Sequence, residues 1–388
     1  MLPLQRIYQL FDFVINTVVA NTLTDIYNFL FYKFKYKNYM NQIFITGATG
    51  FVGTLLVRKL LDQDNVHLNL LVRGSKEKSA NDRILDLLQN KTDMERITVY
   101  DGDVSKENFG LDQIAWNELT TKINTIYHVA ASIYFLLPLE KAREINTQGT
   151  KTALKFGCEC QKNGVFKLLC HVSTAYVCGK VPHFKETDLK MNQKFNNNYE
   201  KSKLEAEVLV NEAIQKGLPV IIFRPSIISG NSETGEITEN SVTFELMTQL
   251  SVYRLENFFS DETSSLNIIS VDYLVNALLH IPKNPDNIGK TFNITSNSNV
   301  NLKHLLEIFS SLLNIKCPEL IPFDKQTTAD RISRLVLRPF LGYYEIGHTF
   351  DNSQARQALE DTEICNPNMD YDYFSRIVAF CRERNFRF

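Results

Sequence analysis

Two residues four apart, Tyr199 and Lys203 in NNYEKSKLEAE, are of types that could do chemistry together. On a helix, positions i and i+4 share one face. An ammonium beside a phenol favours the phenolate, lowering a pKa that starts near about 10. Such a tyrosine can give a proton to a carbonyl oxygen as hydride arrives, or take one in reverse. With 16 tyrosines in the chain, chance alone could supply the pair. A second stretch, HVSTAYVCG at 171–179, ends a β-type run with two hydroxyls, Ser173 and Thr174. Ligands of open parallel sheets bind at the carboxyl ends of strands, where a hydroxyl can stabilise a reacting oxygen. The plainer use of a strand-end hydroxyl is a bond to its own turn.

A third stretch, NQIFITGATGFVG at 41–53, carries Gly47, Gly50 and Gly53. A short apolar run precedes them, an apolar helical pattern follows, and a second β-type run, HLNLLV, comes some twenty residues on. In that context the glycines suit a tight turn, close approach of a diphosphate and close helix–strand packing, with the helix N-terminus facing the diphosphate. The spacing is GxxGxxG rather than GxGxxG. NAD sites often place an acid at the end of the second strand; here it is Arg73, a cation suited to a ribose 2′-phosphate, which favours NADPH over NADH. The alternative is a solvent-facing arginine. Asp103 and Val104, after a third strand, are candidates to contact the adenine.

These residues need a scaffold. β-type runs at Ile43–Thr46, His67–Val72, Ile97–Tyr100, Ile123–Val129, Phe166–Val172 and Val220–Phe223 alternate with helical patterns at 51–61, 76–90, 113–121, 139–162 and 199–216. That alternation predicts an α/β fold with a doubly wound, mainly parallel Rossmann-type sheet. Beyond 226 the pattern turns irregular, with helices expected at 242–256, 271–281, 301–313 and 370–385 and short strands at 267–270 and 290–295. The division read from this is an apolar helical extension at 1–40, a nucleotide-binding domain at 41–225, and at 226–388 a smaller substrate-binding region interleaved with the sheet.

Composition sets bounds. Of 388 residues, 44% are hydrophobic and 22% charged, enough to bury a core, and a net charge of -2 gives no general reason to bind nucleic acid. Seven scattered cysteines form no zinc or disulfide spacing; no metal is expected, and reduced thiols suit a cytoplasmic setting. In residues 1–40, Ile7, Leu10, Phe11, Val14, Ile15 and Val18 recur at helical spacing ahead of Lys33, Lys35 and Lys37. The apolar stretch is short for a membrane span. It suits a helix packed on the core or a partner, or peripheral contact with a membrane surface.

Together the glycine turn, the Asp103 region, HVAAS, NTQGT, the hydroxyl strand and YxxxK resemble the extended short-chain dehydrogenase/reductases. LVRG, GDVSKENFGLD, IYHVAASIYFLLPLEKAREINTQGT, PSIISGNSETG and FDNSQARQAL are similar to thioester reductase domains and, more distantly, fatty acyl-CoA reductases. The resemblance covers roughly residues 41–385. It implies Thr174, Tyr199 and Lys203 as catalytic residues, Thr174 lying five before Gly179, and Asn146 as the asparagine that holds the site and a relay water. It implies Gly47, Thr49, Gly50, Phe51, Val52, Gly53, Arg73, Asp103, Val104, Ala130, Ala131, Lys203 and Pro225 as cofactor neighbours. Cys178 replaces the usual aromatic before Gly179, Ser226 stands where glycine is common, and Ser132–Phe135 departs from the more usual Val-Asn.

The implied reaction is NADP(H)-dependent reduction of an acyl thioester, on coenzyme A or an acyl carrier protein, to an aldehyde, with the alcohol open to a second hydride. The protein would act as a monomer or homodimer. The pocket wall is expected at Ile133–Leu137, Ile227–Gly235 and around Tyr343 and Tyr344. The alternatives are a nucleotide-sugar epimerase or dehydratase with tightly held NAD, a sterol or ketone dehydrogenase, and a non-catalytic nucleotide-sensing protein.

Overall fold

The computed structural model describes residues 40–88, 91–322, 335 and 337–388. The apolar stripe and basic tail of residues 1–39 lie outside the described residues. Strand β1 (Asn41–Thr46) is buried along nearly its whole length, as a central parallel strand must be when both faces are covered. It turns through the glycines into α1 (Phe51–Leu61), followed by β2 (Val66–Val72) and β3 (Ile97–Asp101). The second run comprises α2 (Gln113–Lys122), β4 (Thr125–His128), α3 (Gln148–Lys162), β5 (Leu168–Val172), α4 (Asn198–Gln215) and β6 (Val220–Pro225). Then come α5 (Val242–Ser251), α6 (Val271–His280), β7 (Thr291–Ile294), α7 (Leu302–Leu313), α8 (Leu341–Ile346) and α9 (Tyr371–Glu383).

Among the described residues β1–β7 form one sheet in the order β7-β6-β5-β4-β1-β2-β3, every neighbouring pair parallel. The order reverses direction between β1 and β4. Helix α1 leaves β1 toward one face, where Leu56 and Leu60 pack with Leu274 and Leu278 of α6. Helix α3 serves the opposite face, where Phe156 packs with Trp116 of α2 and Val210 of α4. The crevice between the carboxyl ends of β1 and β4 is therefore where a ligand can enter. A third core joins α5, α7, α8 and α9 beside the sheet ends, and Phe51 and Phe135 pack against it.

Two expected helices are shorter than read. The pattern at 76–90 gives a helix over Ala80–Leu85 alone. The Ser75 hydroxyl accepts from the amides of Glu77 and Lys78 in a tight turn, and a Ser79–Asp82 capping box then starts the helix. The helix expected at 242–256 stops at Ser251, and Arg254 beyond it takes a left-handed φ of 47°.

The last segment returns to the sheet. The buried Glu186 carboxylate accepts from the amides of Asn293 in β7 at 3.0 Å, Gln354 at 2.7 Å and Ala355 at 3.1 Å. The latter two open the helix Ser353–Leu359, so FDNSQARQAL is bolted to the sheet edge. All seven cysteines are unpaired. Among the described residues no helix is long and apolar enough to cross a membrane.

Candidate active site

Gly47 follows β1 with φ of 77°, and a Cβ there would lie 2.7 Å from the amide nitrogen of Ala130, just beyond β4. A side chain would wedge the crevice apart at its apex. A Cβ on Gly53 would land on the carbonyl oxygen of Gly47, so the first turn of α1 needs a bare backbone to sit on the glycine turn. Gly50 caps α1 without a side chain, and the first turn holds no acid. The helix N-terminus thus keeps its unpaired N–H groups and positive end for an anion such as a diphosphate. Thr49, Phe51 and Val52 belong to this same turn; Ala130 closes its far side, donating its amide to the Thr46 hydroxyl at 3.3 Å, and Ala131 follows.

At the ends of β2 and β3, the exposed Arg73 pairs with Asp103 at 3.2 Å. Burial pushes the Asp103 carboxyl up, but bonds from Ser105 and Arg73 outweigh it and hold it below the usual range. Val104 packs beside Gly149 of α3. Arg83, which the sequence reading missed, reaches back from the short capped helix to the Thr49 hydroxyl at 2.9 Å and to the carbonyl of Arg73. Arg83 thus links the glycine turn to the end of β2, where Arg73 stands. The capping box of SANDR was the available signal, since it fixes the helix that aims Arg83.

Thr174 lies two residues beyond β5, and Tyr199 sits in the first turn of α4. The Thr174 hydroxyl stands beside the Tyr199 phenol; it donates to the carbonyl of Pro225 at 3.4 Å and accepts from the amide of Tyr176 at 3.2 Å. Burial pushes the phenol up to about 12, with the neighbouring Thr174 hydroxyl pulling the other way. Lys203 is buried, its ammonium donating to the carbonyl of Val172 at 2.8 Å; burial drags its pKa down to about 8 against the opposing pull of Glu207. Its bond thus goes to the strand end beside Thr174, and the phenol stays protonated at neutral pH.

Asn146 lies in a π-helical turn, Arg143–Thr147, just before α3. Its amide oxygen accepts from the Ser132 amide at 2.8 Å, and its nitrogen donates to the Ser132 carbonyl at 3.1 Å and the Ser202 hydroxyl at 2.9 Å. Ser202 in turn donates to the carbonyl of Tyr199 at 2.9 Å. One side chain thus ties the loop after β4 to the helix that carries Tyr199 and Lys203.

Ser173 and Arg224 have other employment. Ser173 donates to the Glu207 carboxylate at 2.5 Å, and Arg224 forms an ion pair with the same carboxylate at 2.5 Å, both ends almost fully buried. Beside Tyr199 stands an aromatic wall. Phe135 lies 5.9 Å from its ring, stacked at 5.5 Å on Tyr343, which meets Tyr176 at 4.8 Å. Asn197 caps α4 and donates to the Tyr343 hydroxyl at 2.9 Å.

A family model described as male sterility protein matches residues 45–278. The chain belongs to this family. Male sterility protein domains of this type are NAD(P)-binding oxidoreductase folds of the extended short-chain class, and this one resembles terminal reductase domains of peptide and polyketide synthases. It is 35% identical over 269 residues to the nonribosomal peptide synthetase asaC of Aspergillus flavus, covering 65% of this chain and 26% of that protein. It is 25% identical over 302 residues to the L-2-aminoadipate reductase of Schizosaccharomyces pombe, covering 72% of this chain and 21% of that one. The chain spans about a quarter of the length of these curated relatives. The solved terminal R domain of the myxalamid pathway superposes with a TM-score of 0.78 at 25% identity, covering 90% of this chain and 92% of that one. A UDP-glucuronic acid 4-epimerase from Bacillus cereus, solved with NAD, shares the fold at a TM-score of 0.66 and 17% identity, covering 88% of this chain and 99% of that one.

Proposed function

We propose that this male sterility family protein reduces an acyl thioester, carried on coenzyme A or an acyl carrier protein, using NADPH. The reading rests above all on one observation: Tyr199 stands beside Thr174 near a strand end and faces an aromatic wall, in a chain that superposes on a terminal reductase domain. Bound NADPH would supply hydride to the carbonyl carbon. Tyr199 would give its proton to the carbonyl oxygen while the Thr174 hydroxyl bonds the same oxygen, steadying the developing charge. Lys203, fixed on the carbonyl of Val172, would replace the tyrosine's proton, and Asn146 would hold the loop and helix in register. The resulting hemithioacetal would lose thiol to give the aldehyde, and a second reduction would give the alcohol.

Arg73 and Arg83 support NADPH over NADH, since two guanidiniums suit a dianionic 2′-phosphate. Purified protein mixed with NADPH and acyl-CoAs of different chain length, followed by loss of reduced-nicotinamide absorbance, tests the reaction. Turnover that needs both thioester and Tyr199 is expected; oxidation unaffected by Tyr199→Phe would refute it. Titration of each cofactor into Arg83→Ala should weaken NADPH binding about tenfold or more while leaving NADH nearly unchanged, a selectivity worth ~1.4 kcal/mol.

A further inference from the structure

We propose that Phe135 sets the size and branching of the acyl group this enzyme accepts at the reacting carbon; the assignment rests on the thioester-reductase reading. Phe135 belongs to the segment Ile133–Leu137, which is held at both ends by elements of the candidate active site. Asn146 grips both backbone groups of Ser132, and Asn198, next to Tyr199, donates to the carbonyl of Leu137 at 2.8 Å. Between these pins the side chains divide sharply. Ile133, Tyr134 and Leu136 are 46%, 63% and 78% exposed, whereas Phe135 turns inward against the third core.

The inward ring sits among Tyr199, Phe340 at 5.4 Å and Tyr343 at 5.5 Å. Thr174 stands beside the phenol, and Phe135 packs 5.9 Å from the Tyr199 ring. A carbonyl that takes the Tyr199 proton must place its oxygen within about 3 Å of the phenol. The substituent on that carbon then falls near the Phe135 ring. An unbranched chain can pass along a flat aromatic face, whereas a branch or aryl group next to the carbonyl would collide with it. Tyr343, bridged to α4 by Asn197, stops the ring from swinging back toward α8.

The test compares wild type with Phe135→Ala and the milder Phe135→Leu. Each is given NADPH and a panel of unbranched, α-branched and aryl acyl-CoAs, together with the matching aldehydes. The expected result is that the kcat/KM ratio of branched or aryl to unbranched substrates rises at least about tenfold in Phe135→Ala and less in Phe135→Leu, with NADPH affinity unchanged in both. A uniform fall across the panel in both variants would overturn the assignment. If thioesters are silent but aldehydes react, the thioester reading fails and the aldehyde ratio still decides the role of Phe135. A wild type that binds NADPH and turns over neither class overturns both. If Phe135→Ala does not fold, the Phe135→Leu ratio decides.

Discussion

Lys203 holds its ammonium in the protein interior against one carbonyl, and burial lowers its pKa from 10.5 to about 8. The unfolded chain keeps that proton up to about 10.5. Between the two values the unfolded state binds more protons, so stability rises with pH there, and below pH 8 the whole penalty is present. Lys203→Met should therefore melt higher than wild type at pH 7, by roughly 2–6 °C, while turnover falls at least about 100-fold. The stability gap should narrow as pH climbs from 8 toward 10.5; a gap that stays constant would argue against a charge penalty. Tyr199→Phe should cost about 100- to 10,000-fold in kcat with NADPH affinity intact, checked by stopped turnover and by cofactor titration. The places of Tyr199, Lys203 and Thr174 were legible because their spacing is local or lies near a recognisable strand end, but their coupling was not: Lys203 donates to the Val172 carbonyl, and burial raises the Tyr199 phenol rather than the ammonium lowering it. Arg83 was not, because its target, Thr49, is brought to it by the sheet. Ser173 looked available in the sequence, but Glu207, distant along the chain, occupies it.

At the level of elements, the turn into α1 depends on close backbone approach. Gly53→Ala should displace the helix from the Gly47 carbonyl, costing about 1–3 kcal/mol in chemical unfolding and weakening both NADPH and NADH. Loss of one cofactor alone would refute that geometry. Helix α4 depends on its cap. Asn197 accepts from the Glu200 amide at 3.0 Å and also holds Tyr343, so Asn197→Ala should cost about 1–2 kcal/mol, measured in urea, and raise KM for the acyl substrate. The strand–helix alternation was readable because each run has its own period. The truncated helices at 76–90 and 242–256 were not, because Ser75, Ser79 and Arg254 interrupt patterns whose apolar spacing continues past them.

On the scale of the molecule, distant stretches close one another. Arg58 on α1 meets Glu236 at 2.8 Å, but both are partly exposed, so Glu236→Gln should change stability by less than about 1 kcal/mol. The Glu186 clasp is different in kind. Deleting residues 350–388 would strip its carboxylate of two amide donors and uncover the third core, so the shortened chain should be recovered aggregated, as assayed by soluble yield and circular dichroism. A soluble, cooperatively melting product would refute this. The sequence showed FDNSQARQAL as a segment worth noting; which acid it serves was hidden, because Glu186 lies 169 residues before Ala355.

That separation also imposes a schedule on biosynthesis. A ribosome adding about 5–20 residues per second makes Glu186 some ten to thirty seconds before its last amide partner. Until Asn293 follows, 107 residues after Glu186, the nascent chain carries an acid destined for the interior with none of these donors to meet it. The edge strand brings the first donor, and the helix that completes the clasp follows about sixty residues later. Maturation of the catalytic half must therefore wait for the segment around Gln354 and Ala355, and a chain stalled before it would present chaperones with an incompletely paired buried acid rather than a smaller working enzyme.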